Sequence, residues 1–419
     1  MMPVIALMIL THSAYSGTRL ALSLTALEWH VSTALIGVLL SLISLIPMLV
    51  SLVVGRWIDR VGTFKPLAIG NALLLIGAAL PWMVPSIPIL FLSSALTGSG
   101  FLLCHMSGQQ MTGMMASGAE RTRNFGWLAV GFSVSGFAGP MIAGFAIDYL
   151  GHLRAFAATA ILCVFALLLA RYWQVQLRLS SRPPACAPAI VSAVIATTAE
   201  PLCDEELKPQ VRGLALLRHP DLSRLYLCVV LISSAWDVHQ FLVPIHATKL
   251  GLSASQIGLI MGAFAIATLL VRLSLHKVSG LMSHWSVLAC VLFICSFSYA
   301  VYPFLPGAVA MMMVSFILGI GLGCGQPIVM AALYELSPKG QAGEAAGLRQ
   351  SLINATQTAL PMLFGSAGSI LSALTTFTGI AFKGSAFAPL FWVFSATALL
   401  GGISTMRYSK KAQRDALNA

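Results

Sequence analysis

The sequence predicts an all-α integral membrane protein, with twelve transmembrane helices in two pseudo-symmetric six-helix bundles. Three observations predict it. First, of 419 residues 58% are hydrophobic and only 9% are charged, whereas a soluble domain carries about 25% charged residues. No aqueous fold of this size hides so much apolar surface. Second, the apolar residues run in long continuous blocks. A bilayer helix needs about 20 such residues, and lipid offers backbone groups no other hydrogen-bond partners. Barrel strands would instead alternate with period two. Third, the second half repeats the first at a constant shift of 221 positions. Ser32, Ile36 and Gly37 return as Ser253, Ile257 and Gly258. Gly98 and Gly100 return as Gly319 and Gly321, and Pro85 as Pro306. Gly126, Pro140 and Gly144 return as Gly347, Pro361 and Gly365. A membrane chain made of two like halves generally binds a small molecule between them.

The expected spans are 4–27, 32–54, 67–85, 87–110, 125–147 and 154–173, then 223–243, 253–275, 284–303, 307–334, 344–370 and 386–406. The opening stretch imitates a signal-peptide core, but no Lys or Arg precedes it, so it reads as the first span. The chain therefore divides into an N-terminal bundle (1–173), a linker (174–222), a C-terminal bundle (223–406) and a tail (407–419). The linker carries Pro183, Pro184 and the acidic run Asp204, Glu205 and Glu206. Its apolar patch, 189–196, is too short to cross a bilayer.

Orientation follows from Lys and Arg. If both termini are cytoplasmic, 18 of the 24 basic residues fall in cytoplasmic segments and 4 in outer ones, which fixes that topology. A plasma membrane, the inner membrane of a bacterium, is the expected location. The net charge of +11 is spread over short connections between spans, which argues against nucleic acid as a partner. The eight cysteines lie mostly inside apolar blocks without a C-x-x-C pair, so neither a disulfide framework nor a metal site is expected. No G-x4-G-K-[ST] loop is present for ATP, and no Ser/His/Asp set or carboxylate pair recurs at catalytic spacing. The sequence thus predicts neither an enzyme nor a cofactor.

Between spans two and three lies Gly55-Arg56-Trp57-Ile58-Asp59-Arg60-Val61-Gly62-Thr63-Phe64-Lys65. It resembles the signature loop of the major facilitator superfamily, G-x-L-x-D-R-x-G-R-[RK]. Gly55, Asp59, Arg60 and Gly62 match, while Trp57 and Thr63 depart from the pattern. The chemistry suits a gate. Gly55 admits a neighbouring helix, and Asp59 offers a negative charge to a facing helix N-terminus or an Arg. Arg56, Arg60 and Lys65 hold the loop at the cytoplasmic face. In the second half the motif has decayed to His276, Gly280 and Ser283, so an ion-pair latch of this kind is one-sided.

Span five is similar to the G-x8-G-x3-G-P-x2-G-G stretch of the drug:proton antiporter branch. Gly126, Gly139, Pro140 and Gly144 match, with Ser135 and Ala143 small. Small residues let helices pack closely in lipid. Span four departs from the branch: where an Arg and a Gln are common, Ser94 and Thr97 stand, so the proton relay tied to that Arg does not carry over.

Ionisable groups inside a membrane are costly and are functional candidates by default. Asp237 is an acid deep in span seven, and Arg19 stands at matching depth in span one. They are expected to approach each other near the outer mouth, as a gate or with Asp237 as a proton carrier. His12, His105 and His239 are titratable candidates, His239 favoured by its neighbour Asp237. The resemblance implies that spans one, four, seven and ten line the cavity, which nominates Tyr15, Gln109, Trp236, Gln240, Gln326 and Tyr334. The repeat maps Trp236 onto Tyr15, so the two rings are expected to face each other. Arg272 is expected to snorkel to the cytoplasmic surface. Arg349 is expected to pair loosely with Glu344, and Gln350, Asn354 and Gln357 share one face of span eleven. Met311, Met312 and Met313 read as adaptable packing.

These readings converge on a secondary active transporter, acting as a monomer, with protons and a small organic substrate as partners. Proton-coupled efflux is the leading expectation. A proton-coupled importer of an organic anion or sugar is the alternative, and a non-transporting membrane sensor the remote one.

Overall fold

The computed structural model describes residues 2–115, 118–173, 213–278, 283–337, 342–378 and 387–418. Most of the expected linker, with its prolines and its acidic run, lies outside the described residues. Twelve long helices run through the rest: α1 (Met2–Glu28), α2 (Thr33–Val61), α3 (Phe64–Met83), α4 (Ile87–Met114), α5 (Gly118–Leu150) and α6 (His152–Tyr172) form one bundle. The second holds α7 (Pro220–Lys249), α8 (Ala254–Val278), α9 (His284–Val301), α10 (Ala308–Leu336), α11 (Ala342–Thr378) and α12 (Ala388–Asn418). No strand occurs among the described residues. Because successive helices reverse direction, both chain ends lie on one face, here the terminal face; the opposite one is the far face.

Ten of the twelve helices are long and apolar enough to cross a membrane by hydropathy. The two that fall short are α1 and α11, whose polar side chains lower their hydropathy: Thr11, His12, Ser16 and Arg19 on α1, the first three bonded to α3 and α5 of the same bundle, and Arg349, Asn354 and Gln357 on α11. Several helices also overrun the expected spans. The α2 helix continues through Asp59 to Val61, and α12 runs on to Asn418.

The repeat is visible in the packing. Helix α1 packs on α5 and α6, as α7 packs on α11 and α12; α4 packs on α2 and α3, as α10 packs on α8 and α9. Equivalent glycines do equivalent work. Gly98 abuts the Ile43 carbonyl and Gly319 the Phe264 carbonyl, again 221 positions on.

The bundles meet where α2 packs on α11, α5 on α8 and α1 on α7. Gly37 lies against the Pro361 carbonyl and Gly365, and its repeat mate Gly258 lies against the Pro140 carbonyl. Gly365 faces the Thr33 carbonyl, and Gly144 faces that of Ala254. Each proline is a helix residue whose carbonyl stays at the surface, and each glycine removes the side chain that would hold the partner backbone away. All these contacts lie on the far-face half of their helices, so the halves are sealed there. Ser41 adds a hydrogen bond to the Thr358 carbonyl at 2.7 Å across the same seam.

A Cβ at Gly37 overlaps backbone, and such overlap costs about 1–3 kcal/mol. Gly37→Val is therefore expected to open the far-face seam. Ser41→Cys on a background without native cysteines provides the reporter, labelled by a membrane-impermeant maleimide. Labelling rises with Gly37→Val and stays unchanged with Gly126→Ala, where an added Cβ meets nothing within 4 Å.

Candidate functional site

Toward the terminal face the bundles diverge and enclose a cavity of about 740 Å³. Its wall combines three aromatic side chains (Phe125, Phe132 and Trp236) with Gln109, Ser233, Gln326, Gln357 and Arg272. The contributing helices are α4, α5, α7, α8, α10 and α11. This corrects the expectation of spans one, four, seven and ten: α5, α8 and α11 contribute, because the halves part along them, and no α1 residue is among the lining. The volume falls within the roughly 300–1,000 Å³ of small-molecule sites, and the mixture of apolar wall and few polar groups is typical of them.

The aromatic pairing is also corrected. Tyr15 stacks on Phe101 at 3.9 Å within its own bundle, and Trp236 packs edge-on to Phe264 at 4.8 Å within the other. Each ring is turned into its own half, so they do not face each other. Gln240 is half-buried and does not line the cavity. The Tyr334 side chain lies outside the described residues.

Arg19 and Asp237 do approach one another. Asp237 is 1% exposed, and both of its carboxylate oxygens are buried without a hydrogen-bond donor. The Arg19 charge acts on both Asp237 and Tyr15, yet the two charged groups do not come within 4.0 Å, so they form no ion pair among the described residues. Trp236, the preceding residue, lines the cavity, which places Asp237 just behind its end wall.

The histidines are held by neutral partners. Ser135 donates its hydroxyl hydrogen to the carbonyls of Gly131 and Phe132, at 3.0 Å each. Its oxygen also pairs with His12 Nδ1 at 2.7 Å. The Gln109 amide donates to His105 Nε2 at 2.9 Å, and the ring packs on Phe101 and Phe132. His239 pairs with Ser315 at 3.1 Å and stacks on Phe264 at 4.3 Å. It points away from Asp237, because residues two apart leave a helix on different sides.

Arg272 does not snorkel. It reaches across the interface, donating to the Ala129 carbonyl at 3.1 Å and to Ser133 Oγ at 3.0 Å. Arg349 donates to Gln326 Oε1; the side chain of Glu344, its expected partner, lies outside the described residues. Gln350 donates to Asn354 at 3.0 Å along α11, whereas Gln357 reaches the cavity. Met311 is buried and Met313 is 59% exposed, as packing residues would be.

The signature loop closes α2. Gly62, at φ 79°, caps the helix through its N–H to the Ile58 carbonyl, a left-handed backbone that favours glycine. Gly55 sits against Met106, and Asp59 accepts from Gln110 of α4 at 2.7 Å. That partner is neutral and in the same bundle, neither the helix N-terminus nor the Arg expected. Arg56, Arg60 and Lys65 are exposed on the terminal face. In the span-five motif Gly139 packs on the α1 backbone at Ser13, while Pro140 and Gly144 meet α8. Gly126 does not pack against a helix; it lines the cavity.

Sequence reasoning missed Asp148. It ends α5 and spans the bundles, accepting from the N–H of Ala254 at 2.9 Å and of Ser255 at 2.8 Å. A helix start leaves four N–H groups without intrahelical partners. At α8, Ser253 and Gln256 satisfy two by a reciprocal capping box, and Asp148 supplies the others from the opposite bundle. Its repeat mate, Ser369, does the same at α2, accepting from the Ala34 N–H at 2.9 Å. A signal was present. Gly144, Ile147, Asp148 and Gly151 copy Gly55, Ile58, Asp59 and Gly62 at a shift of 89 positions. Gly151, at φ 92°, turns the chain as Gly62 does.

A family model described as Major Facilitator Superfamily matches residues 4–361. A tetracycline resistance protein, class B, of Escherichia coli is 34% identical over 147 residues, which are 33% of this chain and 34% of that protein. A probable vesicular acetylcholine transporter-A of Danio rerio is 29% identical over 130 residues, 31% of this chain and 25% of that one. The chain thus spans only a quarter to a third of the length of these relatives. Among solved structures, a peptide transporter POT in complex with sulfate has a TM-score of 0.75 at 16% identity, covering 99% of this chain and 94% of its own. A POT family transporter bound to 5-aminolevulinic acid gives 0.71 at 16%, covering 98% and 96%.

An N-terminal cap is worth about 1 kcal/mol and a charged acceptor up to about 3. Asp148→Ala is expected to raise far-face labelling of the Ser41→Cys reporter by about 5- to 150-fold. Asp148→Asn, which keeps an acceptor, falls between that variant and the parent.

Proposed function

We infer, on the premise that this chain belongs to the Major Facilitator Superfamily, that it is a proton-coupled exporter of a small amphipathic organic molecule. Its family and fold are those of transporters, and it is a multi-pass integral membrane protein. The observation that carries the finer reading is the blind cavity: about 740 Å³ between the bundles, reached from the terminal face and sealed beyond by the Gly37–Pro361 and Gly258–Pro140 contacts.

Side and direction come from charge. The terminal-face segments hold 18 of 24 basic residues, which supports a cytoplasmic terminal face in a bacterial inner membrane. The conformation is then inward-facing, with the cavity presented to the cytoplasm for loading. Residues 1–173 and 223–406 act as the two moving bodies, 174–222 links them on the cytoplasmic side, and 407–419 is a cytoplasmic tail. Similarity to a tetracycline resistance protein supports export, since removing a compound from the cell is one way to resist it. One chain contains both halves of the site, which supports a functional monomer.

Asp237 is the proposed proton carrier. An unpaired charge in a buried site is costly. The Asp237 carboxylate has two means of compensation, the Arg19 guanidinium or a proton. Movement of α1 against α7 changes the first and thereby the second, which ties protonation to alternating access. Asp59, Arg60 and Gly62 belong to the gate that closes the cytoplasmic side in the other state, and Asp148 to its counterpart on the outer side.

Accumulation of candidate compounds in cells lacking the protein tests the direction: expression is expected to lower accumulation, and an uncoupler to abolish the difference. In everted vesicles Asp237→Asn is expected to lose pH-driven transport by about tenfold or more while retaining substrate exchange. Undiminished pH-driven export by that variant rules out the proton role. Saturable proton-driven uptake in right-side-out vesicles identifies an importer instead.

A further inference from the structure

We propose that the substrate is an organic anion with an aromatic body, and that Arg272 is the group that receives its negative charge. The proposal rests on the transporter reading above and narrows it to a substrate class.

Among the described residues, Arg272 is the charged side chain of the cavity wall. Its two observed partners are a carbonyl and a hydroxyl, which orient a guanidinium without neutralising it. A second cation stands one layer behind. Arg349 is a donor only, so the Gln326 atom it meets is the amide oxygen. That bond leaves the Gln326 NH2 group to donate into the cavity. Among the described residues, the acid between the bundles, Asp237, feels the Arg19 charge and does not line the wall. Among the described residues, the middle of the protein thus holds three arginines to one aspartate, and the surplus faces the cavity between the bundles. An uncompensated charge in such a place is expensive, and a bound counter-charge relieves it.

The rest of the wall fits the rest of such a ligand. Phe125, Phe132 and Trp236 offer flat apolar contacts, and the cavity holds a drug-sized molecule. A planar carboxylate suits a guanidinium through paired hydrogen bonds in a way that an ammonium cannot copy. An organic cation meets the opposite arrangement: Arg272 repels it and, among the described residues, no wall carboxylate pairs with it.

A matched probe series tests this on the full chain in detergent, read by ligand-induced change in Trp fluorescence and thermal shift. Naphthalene-2-carboxylate, its neutral carboxamide and 2-naphthylmethylammonium share one ring system and differ in charge. The carboxylate is expected to bind most tightly, the carboxamide more weakly and the ammonium least. Arg272→Gln is expected to weaken the carboxylate by about 30-fold or more and leave the carboxamide nearly unchanged. Arg272→Lys is expected to keep the preference for the anion. A purely structural role for Arg272 would move all three probes together. If Arg272→Gln fails to fold, the order of the three probes on the parent protein decides. Carboxamide or ammonium binding as tight as the carboxylate overturns the proposal, and so does absence of carboxylate binding at millimolar concentration. Because binding is read without flux or a pH gradient, a carboxylate that binds but is not exported refutes the export reading and leaves this one standing.

Discussion

The structure depends on backbone meeting backbone between two bundles in a solvent that gives them no reason to associate. Lipid removes the hydrophobic force that holds soluble domains together, so helices in it are held by close packing and by polar contacts. This chain concentrates both along one seam. Gly37 and Gly258 let the neighbouring helix come to the distance at which proline carbonyls touch them. The same approach brings Asp148 and Ser369 within reach of the N–H groups that open α8 and α2. Replace the glycines with larger residues and the caps lose their partners as well. The seam is therefore one cooperative unit.

What the seam closes on one side it leaves open on the other. The α5–α8 and α2–α11 pairs separate toward the terminal face, and the residues that no longer meet across the gap become the cavity wall. That is why α5 contributes both Pro140, packed tightly, and Gly126, which touches no neighbour. A single motif in sequence serves as interface at one end and as binding surface at the other. The polar composition of α1 and α11 follows from the same geometry: they run through the centre, where side chains face polar groups instead of lipid.

Much of this was legible in the sequence. The 221-position repeat identifies the two bundles, and it pairs Gly37 with Gly258 and Pro140 with Pro361. Arg19 and Asp237 were brought together by depth alone. The failures share a cause. Tyr15 and Trp236 were expected to face each other, and Arg272 to reach for the surface, because depth along a helix can be read from hydropathy whereas rotation about its axis cannot. Rotation is set by packing against neighbours: Phe101 turns Tyr15 inward, Phe264 turns Trp236, and the Ala129 carbonyl holds Arg272 across the gap. Asp148 was missed for a different reason. Its motif is a partial copy of the signature loop, and its acceptors become meaningful only once α8 is seen to begin beside it.

The partial copy also explains an asymmetry. Asp59 and Asp148 occupy matching places at the ends of α2 and α5, on opposite faces of one bundle. In this conformation Asp148 holds the facing bundle, while Asp59 is held by Gln110 of its own. A carboxylate engaged across the seam stabilises the state in which that seam is closed. One engaged within its bundle contributes nothing to the choice of state and awaits a partner. The second bundle has Ser369 where the first has Asp148, and Gly280 where it has Asp59, so the carboxylates at these two positions belong to the N-terminal bundle alone. Of the two aspartates, Asp148 thus caps a helix of the facing bundle here, and Asp59 does not cross the seam. A ligand or proton that opens this seam has to offset the loss of the Asp148 cap, and it does so only through a difference in its affinity for the two arrangements.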